Sequence, residues 1–402
     1  MTARLTGPGV PRHLPARRLT AVPHLPRHIN ELARPITDEP EPITHRLASG
    51  RYQSPLRYPG AKSILAPLIG RLIVNASVHP ALQGIDLLVE PFAGGASTSL
   101  RLVGDGTVKR ILLADADPLV AAFWQVAAEQ TDALIARTCE EHADYIKAGR
   151  DHALVRWDYW RHWSPRLGTS ERTARFESAV KCLFLNRTTF SGILHGRAGP
   201  IGGRAQTSRY DISCRFSPQS ITDRIGYVGQ LYDTRRLVDV WCMDWRETLN
   251  QVISVYKTLV PDHVLAYLDP PYIEKSSKLY NTSFDSGGGY ARPLVADLDW
   301  QNVLLHERLA AYLYQRMRYR WLLSYDNHPR LLDSCLLYAR DRMNPDCDAK
   351  ASGVRTWRIS KRLVQLHYTA SALRGRGKVN ELLLTTLPPS VVPIDADFRS
   401  AH

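Results

Sequence analysis

Five short apolar runs, each closed by turn residues, constrain this chain more than any other feature. They are Ile85–Val89, Arg110–Leu113, Leu237–Cys242, Val264–Leu268 and Trp321–Ser324. Runs so short and so uniformly apolar need cover on both faces, which a parallel sheet between helical layers supplies. The intervening helices are partly legible. Ser63 stands where it can cap a helix carrying Ile64, Leu65, Leu68 and Ile69, a second helix should follow from Ser97, and a third from Pro118. Two last strands, about 357–368 and 379–386, would close the sheet as an antiparallel hairpin. The expected fold class is α/β.

The alternation is interrupted twice. Residues 1–50 hold eight prolines and seven arginines with no apolar period, and are expected to form a disordered or loosely attached arm. Between 131 and 235 the strand signal stops. Within it, residues 151–235 carry 13 Arg and Lys against 7 Asp and Glu, with Trp157, Tyr159, Trp160 and Trp163 interleaved. This segment reads as a mostly helical insertion with its own surface chemistry, dividing a catalytic unit of 51–130 and 236–390. Across the chain, 52 Lys and Arg stand against 39 Asp and Glu, a net charge of +13. That excess favours a polyanionic partner, nucleic acid first. No apolar run reaches the length of a membrane span, and no secretory signal opens the chain. The six cysteines include no CxxC pair, so neither a zinc site nor a disulfide framework is expected, and a reducing cytoplasm is the simplest home.

The sharpest chemical signal is Asp269-Pro270-Pro271-Tyr272 at the carboxyl end of a predicted strand, where open α/β sheets place their ligands. The exocyclic amine of adenine is a poor nucleophile because its lone pair is delocalised into the ring. The carboxylate of Asp269 and the main-chain carbonyl of Pro270 could both accept from that amine and aim its lone pair at an electrophile. The paired prolines stiffen the turn and remove two N–H groups. Tyr272 offers a face for an unstacked base. The alternative is an ordinary strand-to-loop turn.

Glu90-Pro91-Phe92-Ala93-Gly94-Gly95-Ala96-Ser97 follows the first strand. Its small residues, Gly94 among them, let backbone approach a ligand at a helix N-terminus, although glycines at a tight turn are often only structural. The spacing is neither GxGxxG nor a P-loop. Asp115 ends the next strand, where an acidic group can hold a ribose diol or simply cap a helix. In Tyr58-Pro59-Gly60-Ala61-Lys62, Lys62 could pair with a ligand carboxylate and Tyr58 could cover an adenosine. Asp244 could accept from a ligand's adenine amine or be a solvated loop carboxylate.

In this order the motifs resemble the Dam-type, D12 class (α group) N6-adenine DNA methyltransferases. To those above the resemblance adds Leu185-Asn186-Arg187-Thr188-Thr189-Phe190-Ser191-Gly192 and Val379-Asn380-Glu381-Leu382-Leu383. It runs from about 55 to 386. It implies a Rossmann-like class I methyltransferase sheet with an inserted target-recognition domain. It also implies S-adenosylmethionine as methyl donor without a metal, and sequence-specific methylation of adenine N6 in double-stranded DNA by base flipping and direct transfer. Carried over by residue, Tyr58, Lys62, Phe92, Gly94, Asp115, Asp244 and Asp269 would line the donor site. Asp269, Pro270 and Tyr272 would perform the catalysis. The family usually has Gly where Ala96 stands here. Arg187, Arg197, Arg204 and Arg209 are the candidates for DNA contacts, their alternative being a solvated basic face. The expected state is a monomer, with a cognate restriction enzyme a further partner that the family allows. No Pro-Cys dipeptide supports cytosine C5 chemistry. The competing readings are a methyltransferase acting on RNA adenine or on cytosine N4, and a DNA-binding protein that has lost turnover.

Overall fold

The sheet grows in both directions from its first strand. The computed structural model describes residues 39–41, 54–57, 62–80, 82, 84–196, 198–272, 298–343, 356–367 and 378–401; the arm expected at 1–50 lies almost wholly outside them. Strands β1 (Leu87–Glu90), β2 (Arg110–Asp115), β3 (Leu237–Cys242), β4 (Val264–Leu268), β5 (Arg320–Asp326), β6 (Ser360–His367), β7 (Lys378–Thr385) and β8 (Arg399–Ser400) form one sheet ordered β3-β2-β1-β4-β5-β7-β6-β8. The first five in that order are parallel. β7 runs antiparallel to both its neighbours, β5 and β6. The closing hairpin thus exists, with its second strand inserted between β5 and β6. The order reverses between β1 and β4, and in open α/β sheets ligands bind at such a switch point, beyond the carboxyl ends of the strands.

Both faces of the parallel strands are covered. Leu87 and Val89 enter one apolar cluster with Leu112, Trp241, Ala266 and Trp321, while Leu88 enters another with Ile111, Leu113, Leu265 and Tyr267. The alternation is the period of two that a pleated strand imposes. Helices α1 (Ala66–Ser77), α2 (Ser97–Gly104) and α3 (Pro118–Glu129) follow closely on their sequence signals. In α3, Pro118 takes the first turn and Asp117 caps it, its side chain accepting from Leu119 N at 2.9 Å, a bond worth about 1 kcal/mol. α1 corrects one expectation: it starts at Ala66, its N-cap is Leu65, and no side chain caps it. Ser63 lies in the preceding turn, where Lys62 O accepts from Leu65 N and Ser63 O accepts from Arg101 Nη1 at 3.0 Å.

The segment 131–235 is helical, with α4 (Thr131–Glu141), α5 (Arg150–His162), α6 (Glu171–Thr188) and α7 (Pro218–Asp233). Its core is continuous with the sheet's: Trp157, Trp160, Phe184 and Val228 belong to the same cluster as Leu88 and Ile111. Two of the four aromatics interleaved with basic residues in this segment, Trp157 and Trp160, are therefore core anchors. Positions 153, 157 and 160 share the inner face of α5, and Trp160 donates to the buried Glu141 carboxylate at 3.3 Å. Tyr159, one step around the helix, stays exposed. Helix α8 (Trp245–Val255) and the helix Leu298–Gln315 (α9) serve the opposite face. No helix among the described residues is long and apolar enough to cross a membrane.

Candidate active site

The carboxyl ends of β1, β2 and β4 each carry an acidic residue to the switch point of the sheet: Glu90, Asp115 and Asp269. All three carboxyls are driven upward, first by burial: Glu90 to about 8, with Asp269 and Asp115 adding repulsion; Asp115 to about 7, with Asp117 adding to it; and Asp269 to about 7. For Asp269 the Lys62 ammonium opposes that rise and Glu381 reinforces it. Desolvated carboxyls at close quarters disfavour their own ionisation, and a nearby cation favours it. Among the described residues Glu90 Oε2 has no hydrogen-bond partner, and a buried polar atom left unpaired costs about 1–3 kcal/mol.

Asp269 follows β4 directly. Its Oδ1 accepts from Ser324 Oγ at 3.0 Å and lies 4.0 Å from Lys62 Nζ. Ser324 in turn is 3.1 Å from Tyr267 OH. Lys62 is held from the other side by Glu381, Nζ to Oε2 being 2.7 Å, and its carbonyl accepts from Thr98 Oγ1 at 3.3 Å. The hydroxyl of Tyr272 donates to the same Glu381 carboxylate, 2.9 Å from Oε2 and 3.1 Å from Oε1. Lys62 Nζ then sits 4.4 Å from the Tyr272 ring centre. Residues spread over more than three hundred positions so form one cluster.

Asp115 is held differently. Oδ2 accepts from Gly94 N and Oδ1 from Asp117 N, both at 2.8 Å. The Gly94 carbonyl accepts from Trp124 Nε1 at 2.9 Å, so α3 props the loop that Asp115 ties. Gly94 has φ 45° and Ala96 φ 47°, both left-handed. The loop thus keeps a glycine-favouring shape with alanine at its second left-handed position, at a cost of roughly 1–2 kcal/mol. Phe92 packs half-buried against the cluster on the α8 side. Asp244 caps α8, accepting from Glu247 N at 2.8 Å; it is a buried capping carboxylate, not a solvated one.

Of the other expected residues, Tyr58 and Arg197 lie outside the described residues. Arg187 is corrected: it is only 6% exposed and turned inward, its Nη2 donating to the Pro55 carbonyl. Asn186 beside it grips the backbone of Arg57 from both sides, at 2.7 Å each. These two residues of the Leu185–Gly192 motif fasten the segment leading to Lys62. Arg204 pairs with Asp158 at 2.6 and 3.0 Å on the surface, and Arg209 is exposed over the Tyr210 ring. Phe190 is 65% exposed beside the left-handed Ser191. His195, from the same loop, reaches Asp117 Oδ2 at 2.6 Å and links the helical insertion to the acidic end of β2.

Three functional candidates were not singled out from sequence: Glu90, Ser324 and Glu381. Glu381 did leave a signal. A carboxylate inside the apolar run Val379–Leu384 can be buried only if paired. Ser324 left none beyond its place at a strand end.

Residues 58–198 match the family model for D12 class N6 adenine-specific DNA methyltransferases. The matched segment is roughly a third of the chain and takes in Lys62, the Glu90–Ser97 loop, Asp115 and α3 to α6. No curated protein matches the chain. The family carries S-adenosylmethionine-dependent methylation of adenine in DNA.

Proposed function

We propose that this adenine-specific DNA methyltransferase receives its target adenine, extruded from double-stranded DNA, in the crevice between the ends of β1 and β4. The observation that carries this reading is the meeting of Asp269, Lys62 and Tyr272 at the switch point of the sheet. The residues present fit the donor. S-adenosylmethionine, when bound, supplies an electrophilic methyl on a sulfonium, and its ammonium is a second cation. The acidic side chains of Glu90, Asp115 and Asp269 suit such charge, and among the described residues Glu90 Oε2 has no other partner. Asp115, with lone pairs left after its two backbone bonds, would hold the ribose hydroxyls, as acidic strand ends do. Lys62 would meet the donor carboxylate, Phe92 would pack on the donor, and Gly94 would let backbone approach it. Asp244 would reach its adenine amine with what capping leaves over.

Asp269 and the Pro270 carbonyl then accept from the target amine, pulling electron density onto nitrogen and fixing its lone pair. Ser324 uses one acceptor position of Asp269 and holds the carboxylate in that pose. The proton the methylated nitrogen sheds passes to the Asp269 carboxylate. Tyr272 lies under the base. The chain grips DNA through its helical insertion, Arg204 and Arg209 reaching phosphates or base edges, and Phe190 is shaped to enter the stack as an apolar wedge. Incubation with labelled donor and duplex DNA, followed by mapping of modified adenines, tests the reaction and its sequence preference together. Methyl groups on RNA or on cytosine instead would overturn the reading.

A further inference from the structure

We propose that Glu381 is the positioning residue of this site: one buried carboxylate that sets the Lys62 ammonium and the Tyr272 ring relative to Asp269 without itself touching the substrate. The inference rests on the methyl-transfer reading above. Glu381 lies on β7, paired across the sheet with Asp326 of β5 and Val364 of β6, so its backbone is held on both sides. Its side chain is 2% exposed, and both oxygens are engaged: Lys62 Nζ and Tyr272 OH meet at Oε2, and Tyr272 OH also reaches Oε1. A tyrosine has two side-chain torsions, so anchoring its hydroxyl fixes the plane of the ring. A lysine has four, and here its end is pinned between Glu381 and Asp269. The same carboxylate thus orders the group expected to meet the donor and the face expected to receive the base.

Its charge matters as much as its geometry. Asp269 is faced by Lys62 from before α1, by Glu381 from β7, by Ser324 and Tyr325 from β5, by Tyr267 from β4 and by Glu90 from β1. Lys62 favours ionised Asp269 and Glu381 disfavours it. Removing the Glu381 charge while keeping its shape leaves Lys62 acting on Asp269 with less opposition. The acid limb of activity should then move to lower pH, a shift that loosened packing alone would not produce.

The test uses full-length E381Q beside the wild-type chain. S-adenosylhomocysteine binding is measured by calorimetry, single-turnover methylation across pH, and melting temperature in parallel. The expected pattern is split: S-adenosylhomocysteine binds several-fold tighter, because Lys62 is less neutralised, while methylation at saturating donor falls about tenfold or more through misplacement. Its acid limb moves down in pH. Wild-type rate with an unmoved limb overturns the proposal, as does a parallel loss of binding, rate and melting temperature. Should E381Q not fold, Y272F removes only the hydroxyl. A lower rate with unchanged S-adenosylhomocysteine binding supports the positioning role, and an unchanged rate refutes it. A wild-type chain that binds S-adenosylhomocysteine but methylates no DNA adenine defeats the functional reading instead, and the binding comparison still judges the Lys62–Glu381 contact.

Discussion

Asp115 and Asp269 flank β1 at the ends of β2 and β4, both half-buried and both pushed up to about 7, yet they are secured in opposite ways. Asp115 is bound by backbone amides from positions two and twenty-one residues away. Asp269 depends on side chains: Ser324 fifty-five residues on, and the Lys62–Glu381 pair. A backbone cradle is set by the path of one loop and survives most substitutions around it. A side-chain cradle exists only once distant strands have paired, and each member can be altered singly. Asp115 is therefore preset locally, whereas Asp269 is tuned by the completed fold.

The largest effect should come from D269A. Methylation drops by about a thousandfold while binding of duplex DNA in a gel-shift assay stays near wild type. Substantial donor-dependent activity in this variant would remove Asp269 from the centre of the comparison. In the wild type, activity should fall as pH falls through about 7, because the raised carboxyl of Asp269 must be ionised to accept from the amine; a flat pH–rate profile from 6 to 8 would contradict this. D115N comes next. One oxygen becomes an NH2 group facing a backbone amide, so S-adenosylhomocysteine affinity should fall about tenfold, with the rate at saturating donor nearly kept. A lost rate with intact affinity would break the distinction between the two carboxylates.

S324A sharpens the same contrast from the other side. It deletes one hydrogen bond to Asp269, so the rate should fall about fivefold. The acid limb should rise in pH, since the Ser324 bond favours the ionised form; donor binding stays unchanged by calorimetry. Smallest is A96G. Relief at a left-handed position offsets a lost buried methyl, so denaturant unfolding should register a change below about 1 kcal/mol. A loss of several kcal/mol would show that the alanine methyl, not the loop path, holds this end of the sheet.

The same difference decides what could be read from the chain. The five parallel strands were visible because each is apolar on both faces. Lys62, Asp115 and Asp269 stood out because each sits in a short motif at a strand end or loop. Glu381 could be seen as an odd acid in an apolar run, but its partner could not, since 319 residues separate it from Lys62 and no local pattern encodes that meeting. Ser63 misled because a capping residue was inferred where the backbone turn of Lys62 already meets the first amides. The burial of Trp157 and Trp160 was not legible, because basic neighbours on α5 mask its inner face. Arg187 misled because a guanidinium suited to phosphate can also donate to a backbone carbonyl, as it does here to Pro55.

The place of β7 has a consequence for the enzyme's birth. Strands leave the ribosome in numerical order, but this one must slip between two that were made before it. Until residues 378–385 emerge, β5 has a raw edge and Lys62 has no counter-charge from Glu381. The Lys62–Glu381 pair can therefore form only once β7 has joined the sheet between strands made before it.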